Sequence, residues 1–287
     1  MSLQGFNEIG QAFDDGRFHN QFIYKVTTPV PGTAGFFVDL NQSAGVPKYN
    51  AFAGSSLTAT SLVGSGNNGI YPGNYISGRS KYLQRWQMQD DQLSSGAPDF
   101  IYLSDYLLFY PLIDCDDVDI QFMDNAITLP RYQSGDGVRI VLIATAPIAS
   151  TASLTIIYTN SDGITGRTST ANVIPAASIG VCATGAGLAG GFGQVTPFWP
   201  LATGDKGVRA IESIQFASGA GGFICACLVR PLATLQTYEA QVPVEKHYGF
   251  DNQKMPEILE GAYLNFLIQR SNIGAGNYKG ELIFINI

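Results

Sequence analysis

The chain has 287 residues, 45% of them hydrophobic and 14% charged, with a net charge of −7. That apolar share supports a packed core and excludes a disordered chain. An acidic balance without a basic stripe excludes the electrostatic footprint of a nucleic-acid binder.

Charged residues run at about half the share usual in soluble domains, and residues 49–78 and 168–204 contain none. Both stretches are rich in Gly, Ser, Thr, Ala and Asn and also carry Phe52, Tyr71, Phe192 and Trp199. Soluble proteins normally spread charge over their surface, so these neutral stretches are expected to be covered by another subunit. The length admits one large or two modest domains. The first ten residues lack a basic start followed by an apolar run, so no secretory leader is expected. Apolar runs around 138–146 and 223–229 are too short to cross a bilayer, and no membrane partner is expected. Cys115, Cys182, Cys225 and Cys227 are scattered and outline no disulfide framework, which fits synthesis in a reducing compartment.

In chain order, Phe6, Phe13, Phe18, Phe22 and Tyr24 lie among polar residues without a steady period. Residues 1–99 read as an extended N-terminal arm or small subdomain, or equally as the first strands of one large sandwich. Strands are expected at 21–27 and 35–40. Residues 80–93 offer a helix with Leu83, Trp86 and Met88 inward, although 81–86 also fits a strand. From residue 100 to 287 period-two alternation dominates. Val138, Ile140, Leu142 and Ala144 alternate with Arg139, Val141 and Ile143, as in a strand buried on both faces. Leu154, Ile156 and Tyr158 mark another strand, ended by the turn residues Asn160, Ser161, Asp162 and Gly163. Residues 211–216 and 223–230 read as a hairpin across 218–222. A helical turn is expected at 256–260. Segments 263–269 and 280–287 flank a glycine-rich turn. Strands every ten to fifteen residues predict an all-β fold, an antiparallel β-sandwich of jelly-roll type.

Candidate chemistry is sparse. Gly185, Gly187 and Gly190 match G-x-G-x-x-G, but Pro197 and Pro200 follow where a dinucleotide fold needs a helix, so no cofactor is expected. Asp114, Asp116, Asp117 and Asp119 form the densest acidic cluster. Calcium is chemically conceivable there, yet the EF-hand spacing fails at Val118, and a solvated strand edge that deters aggregation is the reading taken. Cys225 and Cys227 fall on one strand face without a second pair, as buried small hydrophobes rather than zinc ligands. His19 and His247 sit in no nucleophile or H-E-x-x-H context, so no catalytic residue, metal ligand or enzymatic role is assigned. Phe192, Phe198 and Trp199, beside two prolines, suit an intersubunit contact because interface cores are poor in charge and rich in aromatics. The interface candidates are therefore Phe6, Phe13, Phe18, Phe22, Phe192, Phe198 and Trp199.

Low charge, Gly/Ser/Thr/Ala-rich strands, few His and Cys, an extended beginning and the closing strand Gly280-Glu281-Leu282-Ile283-Phe284-Ile285-Asn286-Ile287 together resemble virion structural proteins of tailed bacteriophages. The likeness is closest to their jelly-roll cement or decoration proteins. It implies a homo-oligomer, commonly a trimer at local three-fold positions, that locks major capsid protein or other virion subunits together. It further implies synthesis in the host cytoplasm and residence in the virion. A sugar- or receptor-binding sandwich module, with some of the 14 tyrosines stacking on sugar rings, is the alternative from a different class. A sandwich hydrolase is the third.

Overall fold

The computed structural model describes residues 6–27, 35–64, 69–91, 99–169, 172–183, 196–249, 254–270 and 276–287. In chain order they form helix α1 (Phe6–Asp14) and strands β1 (Phe18–Thr27), β2 (Phe37–Asp39), β3 (Ala44–Val46), β4 (Thr60–Ser61) and β5 (Lys81–Asp90). Then come β6 (Asp99–Asp114), β7 (Gln121–Phe122), β8 (Arg139–Ala144), β9 (Ala152–Asn160), β10 (Arg167–Thr168), β11 (Asn172–Ile174) and β12 (Val208–Phe216). The last five are β13 (Phe223–Thr237), β14 (Val244–His247), β15 (Glu257–Ile258), β16 (Leu264–Gln269) and β17 (Gly276–Asn286). The fold is all-β and built of antiparallel sheets packed face to face.

Sheet I has the order β14-β5-β17-β1-β3, with β15 on β5. Sheet II runs β10-β9-β12-β7, with β11 on β9, and sheet III runs β2-β16-β6-β13-β8, with β4 on β6. Strands β6 and β13 pair along nearly their whole lengths and form a ribbon that serves two cores. At one end Ile101, Leu103 and Leu235 share a core with Trp86, Leu282 and Phe284 of sheet I. At the other end Tyr110, Ile113, Ile224 and Leu228 share a core with Ile156, Tyr158, Ile211 and Ile214 of sheet II. Trp86 of sheet I stacks on Phe266 of sheet III with centroids 5.3 Å apart. A third cluster, with Phe52, Tyr106, Phe109, Cys225 and Cys227, lies on the other side of the ribbon.

Strand β8 is buried on both faces, as its sequence predicts. Ile140, Leu142 and Ala144 join the sheet II core, and Val141 and Ile143 join the third cluster. The turn after β9 is also as expected. Asn160 Oδ1 accepts the amides of Asp162 and Ile164, and Gly163 takes a positive φ of 83°.

Other expectations change. Residues 81–90 are strand, because pairing with β17 on one side and β14 on the other satisfies a backbone that a helix would close on itself. At 256–260 there is the short strand β15 rather than a helical turn. The presumed hairpin of 211–216 with 223–230 does not form: β12 pairs with β9 and β7, while β13 pairs with β6 and β8. Strands β16 and β17 are likewise split between sheets III and I. In neither case do the two strands close a ladder with each other.

Helix α1 was not foreseen. Ile9, Ala12 and Phe13, at i, i+3 and i+4, pack into the sheet I core. A Schellman motif ends it: Arg17 N–H reaches Ala12 O (2.7 Å), Gly16 N–H reaches Phe13 O (3.0 Å), and Gly16 has φ of 66°. The described strands β1 and β5 of the first hundred residues flank the C-terminal strand β17.

Candidate assembly surface

The described parts of the neutral stretches are covered only in part by the chain itself, and residues 53–56 and 76–78 are exposed. Phe52, Leu62 and Ile70 from the first are buried, as are Ile174, Val181, Cys182 and Trp199 from the second.

Buried ionisable groups hold these wrapped segments. Asp105 on β6 binds Arg131 through two contacts of 2.7 and 2.8 Å, and Arg131 also donates to the carbonyls of Leu62 and Tyr106. Asp39 Oδ1, at the end of β2, accepts from Tyr106 Oη, Asn265 Nδ2 and the Asn41 amide. Burial pushes Asp39 up to about 7 against those donors and nearby Lys25. Burial likewise pushes Lys25 down to about 8, and its ammonium donates to Ser43 O. Lys81 Nζ donates to the carbonyls of Pro72, Gly73 and Asn74 within 2.8 Å. Every one of these charges ties a loop to a sheet.

The remaining polar candidates resolve similarly. Asp114 closes β6 opposite Phe223, and Asp116, Asp117 and Asp119 lie in the bend beyond it. Their carboxylates serve backbone amides: Asp114 takes Asp116 N–H, Asp117 takes Asp119 N–H, and Asp116 takes Gly221 N–H. Cys225 and Cys227 point the same way, with sulfurs 3.8 Å apart, and both thiols are buried and free. His19 on β1 meets the Tyr71 ring edge-on, and His247 on β14 pairs with Glu245 (2.6 Å). Two strands of sheet I separate the histidines, so they do not converge. The motif at 185–190 and Phe192 lie outside the described residues.

Of the interface candidates, Trp199 is a core residue. It is 1% exposed, packs in the sheet II core and donates Nε1–H to Ser169 Oγ. Its apolar surface is already covered, so it has none to offer a second molecule. Phe198 is half-buried against Tyr102. Phe6 opens α1, and Phe13 is half-buried with its ring 5.2 Å from that of Phe18.

Phe18 and Phe22 do reach the surface, at 42% and 67% exposure. Strand alternation places them with Asn20 and Tyr24 on the outer face of sheet I, while Ile23, Lys25 and Thr27 face inward. Tyr24 and its β3 partner Val46 extend the exposed row. Neither is among the interface candidates: Tyr24 shares the aromatic signal of Phe18 and Phe22, whereas Val46 reaches the row only through pairing in the sheet. A second exposed apolar group, Leu112, Val118, Ile120, Phe122 and Phe223, surrounds the acidic turn.

Strand β1 is also a partly open edge. All ten of its residues pair with β17, but only Tyr24, Lys25 and Val26 pair with β3 on the other side. Among the described residues, no backbone group pairs with the outer edge of residues 18–23. The Gln21 side-chain amide donates to Phe22 O (2.8 Å), occupying a carbonyl that a neighbouring strand would otherwise use.

No family model matches the chain, and no curated protein does. Among solved structures it is similar to that of the infectious bursal disease virus Gt strain, with 11% identity, a TM-score of 0.20 and coverage of 94% of this chain and 81% of that one. It is also similar to a mutant VP2 protein of the same virus in derived T=1 particles, with 10% identity, a TM-score of 0.21 and coverage of 94% and 78%. Both neighbours are proteins of viral particles. At such TM-scores the function has to be argued from the residues of this chain.

Proposed function

We propose that the chain is a non-enzymatic structural subunit of a virus particle, a cement or decoration protein that attaches to the shell through the aromatic face of sheet I. The observation that carries this reading is the uncharged, open-edged segment Phe18-His19-Asn20-Gln21-Phe22, whose two phenylalanines stand in solvent. Edge strands of soluble proteins are ordinarily blunted with Lys, Pro or a covering loop. Exposed apolar rows of this kind mark contact sites. The absence of catalysis in the reading is supported by the buried acids and bases, whose partners are loops and strands of the fold.

Attachment by repetition suits such a surface. A modest contact made by every copy on a symmetric shell sums to a firm lattice once association costs are met. Because Ile23, Lys25 and Thr27 of β1 are buried, deleting residues 1–25 would remove a sheet strand. Point substitution is the cleaner probe. Purified wild-type chain and a Phe18→Ser/Phe22→Lys variant are each mixed with parent-virus shells lacking the chain and sedimented. The wild type should co-sediment at saturable occupancy and the variant should stay in the supernatant. Equal occupancy by both would refute this surface, and absence of the chain from purified particles by mass spectrometry would refute the virion role. The resemblance implies a trimer, and the mass of the free chain tests that number directly.

A further inference from the structure

We infer that the open edge of β1 is made for the same edge of a second copy, the two strands pairing antiparallel about a two-fold axis through Asn20. The inference deepens the reading of β1 as an assembly surface by naming one occupant, and it does not depend on which assembly the chain joins.

The backbone fixes which groups are offered. Tyr24 O points at β3, close enough that a Cβ on Gly45 would lie 2.0 Å from it. Backbone direction alternates along a strand. The amides and carbonyls of Phe22, Asn20 and Phe18 therefore face the same, open side, and the Gln21 side chain that reaches Phe22 O marks that side independently.

The side chains then choose the partner. Phe18, Asn20 and Phe22 are spaced symmetrically about Asn20, and all three project from the outer face. In an antiparallel pair centred there, Asn20 meets its own copy and Phe18 lies opposite the partner's Phe22, twice over. All three cross-strand pairs are of the hydrogen-bonded type, so about six backbone bonds form once Gln21 Nε2 yields Phe22 O to the partner's Phe18 amide. The aromatic pairs are the kind that stabilises adjacent strands. Phe13, already against Phe18, would extend each cluster. No Lys, Arg, Asp or Glu occurs between residues 18 and 22, so no like charges meet at the axis.

The window also has the right length for itself. β3 closes the edge from Tyr24 onward, and the Gly16 turn takes the chain away before Phe18. A two-fold contact of this sort is isologous and closes with two copies.

The test is a cysteine at the axis. All four native cysteines are buried, so they do not compete. Hydrogen-bonded antiparallel partners have Cα atoms about 5.5 Å apart, within disulfide range. Asn20→Cys should form a disulfide-linked species of twice 30.7 kDa under mild oxidation, far faster than Asp162→Cys in the exposed turn after β9. Adding Phe22→Lys to Asn20→Cys should slow cross-linking about ten-fold, equivalent to about 1.4 kcal/mol of lost association. Light scattering of the wild type should move from one copy to two with rising concentration.

Cross-linking of Asn20→Cys no faster than of Asp162→Cys, or a trimeric mass without the Asn20 cross-link, would overturn the pairing. If that failed while the Phe18→Ser/Phe22→Lys variant still lost shell binding, a strand from another protein would be the occupant. The assembly surface would then stand without the two-fold.

Discussion

Asp39→Asn should flatten the dependence of stability on pH between about 4 and 7. In the folded chain Asp39 is fully buried and pushed from 3.8 up to about 7, burial outweighing its three donors and Lys25. Below pH 4 both folded and unfolded chains hold the proton. Between 4 and 7 the folded chain keeps it and the unfolded chain has released it, so stability falls as pH rises through this window. A shift of about three units, at 1.36 kcal/mol each, sets an upper bound of about 4 kcal/mol on the loss.

Lys25 acts at the other end, because burial takes it from 10.5 down to about 8. The unfolded chain then holds the extra proton between those values, and stability falls as pH drops from about 10 towards 8. The least stable interval is therefore about pH 7–8, where both buried groups carry charge. Asparagine keeps the Oδ1 acceptor for Tyr106, Asn265 and the Asn41 amide and removes the titration. Urea unfolding at pH 5, 6, 7 and 8 reads the effect: the wild type loses stability across the series and Asp39→Asn loses much less. Asp105, also raised by burial, leaves a residual slope. An unchanged slope in Asp39→Asn would refute the assignment of the buried proton to Asp39.

Trp199→Ala should cost about 3–5 kcal/mol in chemical denaturation, because it empties a site in the sheet II core and removes one of the two donors to Ser169 Oγ, the Ile156 amide being the other. Phe22→Ser, by contrast, should move stability by no more than about 0.5 kcal/mol, since its ring stands in solvent. Arg131→Ala should destabilise by about 3–5 kcal/mol by stranding the Asp105 carboxylate among buried groups. Replacing both partners with apolar residues should recover part of that loss. Calcium or chelator should leave the melting temperature unchanged, because the Asp114, Asp117 and Asp116 carboxylates already accept the backbone amides of Asp116, Asp119 and Gly221. A rise of several degrees on adding calcium would contradict this.

The site was half legible. Phe18 and Phe22 stand out as aromatics among polar neighbours, and both prove exposed. Trp199 carries the same composition signal yet is sealed inside, because exposure depends on which sheet a loop crosses.

Residue alternation by itself determined the all-β character and the double burial of β8, since a period of two dictates which sides of a strand are apolar, and the turn residues Asn160, Ser161, Asp162 and Gly163 marked the turn after β9. Tertiary structure alone decided what covers each side. It made strand of residues 81–90 by supplying β17 and β14 as neighbours, and it sent β12 and β13, and β16 and β17, into different sheets. It also left the edge of β1 bare beyond the short β3. A glycine-rich turn specifies that the chain reverses, whereas pairing or arching depends on the distant strands that compete for the same hydrogen bonds.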